Sequence, residues 1–116
     1  MFDIVVVGHF AIDLIIPLGE TKPKRRLGGP PTYVSLSAIK LDSSVSVISK
    51  VGGDFPEKYI LWLKKRGVDL SGLKIDETSK TTSFLIKYYP NGGREMILKG
   101  RAPPIFIEDL LPSLEA

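Results

Sequence analysis

The chain has 116 residues, enough for one domain with a single core, and its 43% hydrophobic and 25% charged residues exclude a disordered chain. A formal net charge of +3 is too small to mark a nucleic-acid binder, and no nucleic-acid partner is expected. With no cysteine and one histidine there is no disulfide framework and no thiolate metal site, which favours a reducing, cytoplasmic setting.

Asp3 follows Met1-Phe2 at once, so no signal peptide is expected, and the apolar run Ile4 to Val7 is too short for a membrane span. The β-branched run from Phe2 to Gly8 predicts a strand buried on both faces of a parallel sheet. Ligands of such sheets gather at the carboxyl ends of the strands, which draws attention to Gly8, His9 and the residues beyond. Leu14–Pro17 reads as a second extended piece and 17–23 as a polar loop. The basic cluster Lys22-Pro23-Lys24-Arg25-Arg26 reads as a solvated face.

Gly28-Gly29 allows unusual backbone angles or a close approach, and Pro30-Pro31 suits the opening of a helix. That helix runs from Thr32 to Leu41, with Val34, Ala38 and Leu41 on one stripe and Ser35 and Ser37 beside it. Local composition favours a turn that merely caps a core helix. The functional reading is a set of free N–H groups that attracts anions or hydroxylated ligands.

Ser43–Val51 predicts a strand closed by Gly52-Gly53-Asp54, and Phe55-Pro56 starts a second helix. Phe55, Tyr59, Ile60, Trp62 and Leu63 share its inner face, while Glu57, Lys58, Lys64 and Lys65 face water and Gly67 ends it. Strand, helix, strand, helix is the opening of an α/β sheet. Val68–Ile75 is then a short extended piece. Thr81–Tyr89 and Arg94–Lys99 form a hairpin across Pro90-Asn91-Gly92-Gly93, and a short helix begins at Ile107.

Taken in order, several pieces resemble the ribokinase-like (PfkB) carbohydrate kinases. They are Gly8–Asp13, Gly28–Tyr33, Lys50–Phe55, Arg66–Asp69 and the Thr81-Thr82 strand with its glycine hairpin, and they cover essentially the whole chain. The resemblance implies the N-terminal part of a ribokinase-like α/β sheet domain with a small β-sheet lid, lid strands falling near 10–27 and 69–100. It also implies ATP-dependent phosphoryl transfer to an alcohol of a sugar or nucleoside, with ATP and Mg in the complete enzyme. The substrate-binding residues it implies are Asp13, which holds hydroxyls, the backbone of Gly28 and Gly29, and Tyr33 and His9 beside them.

The match has departures. Thr32 and Tyr33 stand where many sugar kinases carry a small residue and an asparagine, and Phe10 and Ala11 stand where some relatives place a polar contact. The 116 residues contain neither the family's Gly-Ala-Gly-Asp signature nor a phosphate-binding loop. An N-terminal portion spanning 1–116 is therefore expected, with no catalytic residue of its own, ATP not held by it alone, and no turnover in isolation. A second reading is a non-enzymatic module that binds a ligand or dimerises through its lid sheet. The expected partners are a small-molecule sugar or nucleoside, plus a second copy at the lid strands or a missing C-terminal part.

Overall fold

The computed structural model describes residues 2–114, with the backbone alone described at 111–114. Its elements in chain order are β1 (Ile4–Val7), β2 (Ala11–Ile16), β3 (Lys24–Gly28), α1 (Pro30–Lys40) and β4 (Val45–Gly52). They continue as α2 (Glu57–Lys65), β5 (Val68–Asp76), β6 (Thr82–Tyr88), β7 (Arg94–Gly100) and α3 (Ile107–Leu114). The chain makes two sheets. β1, β4 and β5 form a parallel sheet in the order β1-β4-β5, with Ile4 beside Val45 and Val45 beside Val68. The other sheet runs β3-β2-β6-β7, parallel at β2–β6 and antiparallel at both ends.

The parallel sheet forms because β4 is rich in β-branched residues that suit a pleated, buried surface. Val45, Val47, Ile48 and Val51 are all buried. Around them Phe10, Ile12, Ala38, Phe55, Leu63, Val68 and Leu70 complete one core. Phe10 meets Phe55 at 6.0 Å between ring centroids, and Phe55 meets Tyr59 edge-on at 5.7 Å. Leu63 is α2's fully buried anchor, and burial of such a side chain stabilises by about 1.5–3 kcal/mol. The helix ends at Arg66, and Gly67 follows at φ +95°, a left-handed angle that glycine adopts without steric cost.

The hairpin turn forms as its sequence predicts. Gly92 sits at φ +84°, the Tyr89 N–H donates to the Gly93 carbonyl at 3.0 Å, and the Gly93 N–H donates to the Asn91 side chain at 2.9 Å.

Three expectations are corrected. β1 is not buried on both faces: Ile4, Val5 and Val7 are exposed, because β1 is the edge of its sheet among the described residues. In α1 the inward stripe is Thr32, Ser35 and Ala38, while Val34 and Leu41 face outward, Leu41 at 79% exposure. Small side chains let the helix lie close to the sheet. The buried hydroxyls return to the chain, Thr32 Oγ1 donating to the Gly28 carbonyl at 2.8 Å and Ser35 Oγ to the Thr32 carbonyl at 3.2 Å. Finally, the stretch from Val68 to Asp76 pairs with β4 in the parallel sheet, so within 69–100 the second sheet holds only the strands from Thr82 onward. Among the described residues no helix is long and apolar enough to cross a membrane.

Candidate functional site

The two sheets meet where β1 runs into β2 and β3 runs into α1, and the glycine pair lies at that junction. Antiparallel pairing sets Ala11 opposite Gly28 and Asp13 opposite Arg26, so Asp13 and Gly28 share a face of the sheet. The Asp13 carboxylate fills the space where a Gly28 side chain would begin, so any larger residue there would displace it. Gly29 is required twice over: its φ is +88°, and a Cβ would lie 2.4 Å from the His9 carbonyl oxygen. The structure therefore brings Asp13, Gly28, Gly29 and the His9 backbone together.

Asp13 is half-buried, and among the described residues it pairs with no cation and makes no side-chain hydrogen bond. Burial without a partner pushes its carboxyl above the usual value. Such a group is short of hydrogen-bond donors. Two neighbouring hydroxyls, one to each oxygen, are donors that would satisfy it.

The start of α1 is less suited to an anion than its glycines suggest. Pro30 and Pro31 carry no N–H, and the Thr32 N–H turns back to the Gly29 carbonyl at 3.1 Å. Tyr33 follows on the exposed side of α1, 61% exposed, and its hydroxyl makes no hydrogen bond among the described residues. His9 has another engagement: its Nε2–H donates to the Pro103 carbonyl at 2.8 Å.

That contact belongs to a second set of residues. Lys50 donates to the Pro104 carbonyl at 2.9 Å, lies 3.0 Å from Asp109 and sits 4.8 Å above the Phe106 ring. Lys74 reaches the same Asp109 carboxylate. The hydrogen bonds from Lys74, the Phe106 N–H and Lys50 hold the Asp109 carboxyl far below the usual range. His9, Lys50 and Lys74 stand after β1, in β4 and in β5, so the chain returning from the second sheet is tied across all three parallel strands.

A third junction lies at Gly52-Gly53-Asp54. The Gly52 N–H donates to Thr81 Oγ1 at 3.0 Å, the Gly53 N–H to the Ser79 carbonyl at 3.2 Å, and the Thr81 N–H to Asp54 at 2.7 Å. The sequence marks this turn as the end of a strand and as part of the family resemblance, but not what it bonds to. Its partners lie 27 and 29 residues downstream, beyond the reach of local pattern. Pro103 and Asp109 were likewise invisible as partners of His9 and Lys50.

The family model described as pfkB family carbohydrate kinase matches residues 1–103. The cytidine kinase of Thermococcus kodakarensis is 36% identical over 95 residues, a match covering 79% of this chain and 32% of that protein. A putative sugar kinase of Pyrococcus horikoshii is 33% identical over 112 residues, covering 91% of this chain and 33% of its own length. The chain thus spans about a third of the curated relatives it matches. The crystal structure of the uncharacterized sugar kinase from P. horikoshii superposes with a TM-score of 0.76 at 27% identity, covering 90% of this chain and 38% of that one. A further structure of that kinase was solved in complex with ATP.

Proposed function

The chain belongs to the pfkB family of carbohydrate kinases, and from that premise we propose that its sheet junction forms the acceptor side of an ATP-dependent phosphoryl-transfer site for a sugar or nucleoside. The observation that carries the reading is the Asp13–Gly28 pair. Among the described residues this half-buried carboxylate pairs with no cation, and it occupies the space where a Gly28 side chain would begin. Asp13 accepts hydrogen bonds from adjacent hydroxyls of the acceptor, and Gly28 and Gly29 let the ligand approach the backbone. Tyr33 borders the ligand from the first turn of α1. His9 acts through its backbone, which packs on Gly29, while its ring ties down the 101–106 loop. The second sheet covers the ligand as a lid.

The phosphate donor is a separate matter. Among the described residues no three His, Cys, Asp or Glu side chains group as for a metal ion, and the sequence has no phosphate-binding loop. No chemical step involving ATP or Mg is assigned to these residues. Transfer depends on electrostatic stabilisation of the moving phosphoryl group, which the proposal leaves to parts of a family kinase outside these 116 residues.

A second feature favours association. Tyr88, Met96, Ile97 and Leu98 on β6 and β7 are exposed, as are Ile4, Val5 and Val7 on β1. We propose that the lid strands pair with a second copy, or that β1 accepts the remainder of a family kinase, in a cytoplasmic protein.

Calorimetric titration of the chain with a panel of sugars and nucleosides tests the site. An acceptor is expected to bind, with Asp13→Asn weakening it by about 10- to 100-fold, the worth of hydrogen bonds to a charged group. Equal binding by Asp13→Asn would sink the assignment. ADP release from ATP in the same samples should be absent, and turnover by the chain alone would refute the division of labour. Sedimentation of the same material as a strict monomer at high concentration would dispose of the association.

A further inference from the structure

Away from the Asp13 junction, the densest exposed charge lies along the outer edge of the second sheet. β3 pairs with β2 on one side and, among the described residues, with no strand on the other. Along that edge runs an open groove of about 600 Å³, lined by Lys24, Arg25, Arg26 and Leu27 of β3 and by Lys58, Tyr59 and Trp62 of α2. Strand side chains alternate between faces, so four successive residues line one groove only where it follows the strand's edge. Such an edge presents unpaired N–H and C=O groups, a template for an added strand.

The groove's chemistry is one-sided. Its lining holds four cations and no carboxylate. Lys24 has Glu20 at 3.7 Å, whereas Arg25, Arg26 and Lys58 pair with no carboxylate among the described residues. Leu27, Tyr59 and Trp62 supply an apolar floor beneath that charge.

We propose that this groove binds an extended acidic peptide of a partner protein, added along β3 as a fifth strand. Alternation puts Lys24 and Arg26 on one face of β3 and Arg25 and Leu27 on the other, so the carboxylates of the added strand lie beside Arg26 and Lys24 while its apolar residues rest on Leu27 and Trp62. Main-chain hydrogen bonds supply affinity and the alternating side chains supply selectivity. Two competing occupants fit less well. A second copy pairing β3 to β3 sets Lys24, Arg25 and Arg26 against the same cations, which is repulsive. A single-stranded nucleic acid needs open aromatic faces for its bases. Here one face of Trp62 already carries the Arg66 guanidinium, 3.7 Å from the ring centroid, and Tyr59 is partly buried.

Trp62 is the chain's one tryptophan, so its emission reports directly on the groove. The probe is an acetylated octapeptide of alternating Glu and Val, titrated into the full chain. A saturable change in Trp62 emission is expected, absent with the Lys–Val counterpart. The double variant Arg25→Glu/Arg26→Glu should weaken binding by about tenfold or more, as reversal of interface charges does, with an unchanged far-ultraviolet circular dichroism spectrum. N-methylation of alternate peptide bonds in the probe should abolish binding. Equal binding of the N-methylated peptide would overturn strand addition in favour of bare charge attraction. Tighter binding of poly-uridylate would reassign the groove to nucleic acid, and self-association lost in the double variant would reassign it to a second copy.

Discussion

The parallel sheet and the second sheet are held by different means. In β4 every residue except Lys50 is buried, and α1 and α2 bring Ala38 and Leu63 onto the core around it. In β7 every residue but the last is exposed, although all but Lys99 are paired with β6. The first sheet is stabilised by burial of apolar area, which the second shares through Ile12, Leu14 and Leu27, while its outer strand β7 is held chiefly by its ladder. A sheet held in that way keeps both an open face and an open edge, which are the properties that ligand and partner sites need.

Removal of buried volume from the first sheet should have the largest effect on this contrast. Leu63→Ala leaves a cavity in the core, and a loss of about 2–5 kcal/mol is expected in urea unfolding. The matched truncation Ile97→Ala, at 40% exposure on β7, should cost well under half as much. Equal losses would mean that β7 is covered in solution, and would point to a lid-mediated dimer.

Much of this division was legible in the sequence. Trp62, expected on the inner face of α2, is exposed, but the β-branched run at Val45–Val51, the buried Leu63 of α2 and the Asn91-Gly92 turn each follow from local chemistry and form as that chemistry predicts. The face of α1 does not, because apolarity was taken as the mark of burial. In fact Thr32 and Ser35 are buried, since their hydroxyls find carbonyls one turn back. β1 was read as a central strand because a continuous apolar run says that both faces want cover, not that these residues supply it. At the candidate site, Gly28 and Gly29 stand out in the sequence, but why each is a glycine comes only from geometry. One makes room for a side chain and the other for the backbone.

That difference gives the next largest effect. Gly29→Ala forces a left-handed residue against the His9 carbonyl, and a loss of about 1–3 kcal/mol is expected from the strained backbone. Gly28→Ala meets only the mobile Asp13 carboxylate, which turns aside. Its cost to stability should be the smaller of the two, while acceptor binding falls toward the level of Asp13→Asn. A Gly28→Ala variant that binds normally would separate the glycine from the carboxylate and undo the site as drawn.

The smallest expected effect concerns the ties, and its sign depends on pH. The Asp109 carboxyl titrates in the folded chain well below its ordinary value of 3.8, with Lys74 as the first cause. A lowered folded-state pKa means that the contribution is present above 3.8 and is lost as pH falls below it. Asp13 is the reverse case. Its raised carboxyl costs stability once ionised, so Asp13→Asn should leave acid stability unchanged and slightly raise it near neutrality. Asp109→Asn should therefore lower stability at neutral pH and approach the parent only gradually as pH falls from 3.8 toward the much lower folded-state value, with Asp13→Asn displaced the other way. Thermal unfolding of the three proteins across pH 2–7 checks this. Parallel curves would mean that neither carboxylate distinguishes the folded from the unfolded chain, and the ties would then rest on the His9 and Lys50 bonds to Pro103 and Pro104 alone.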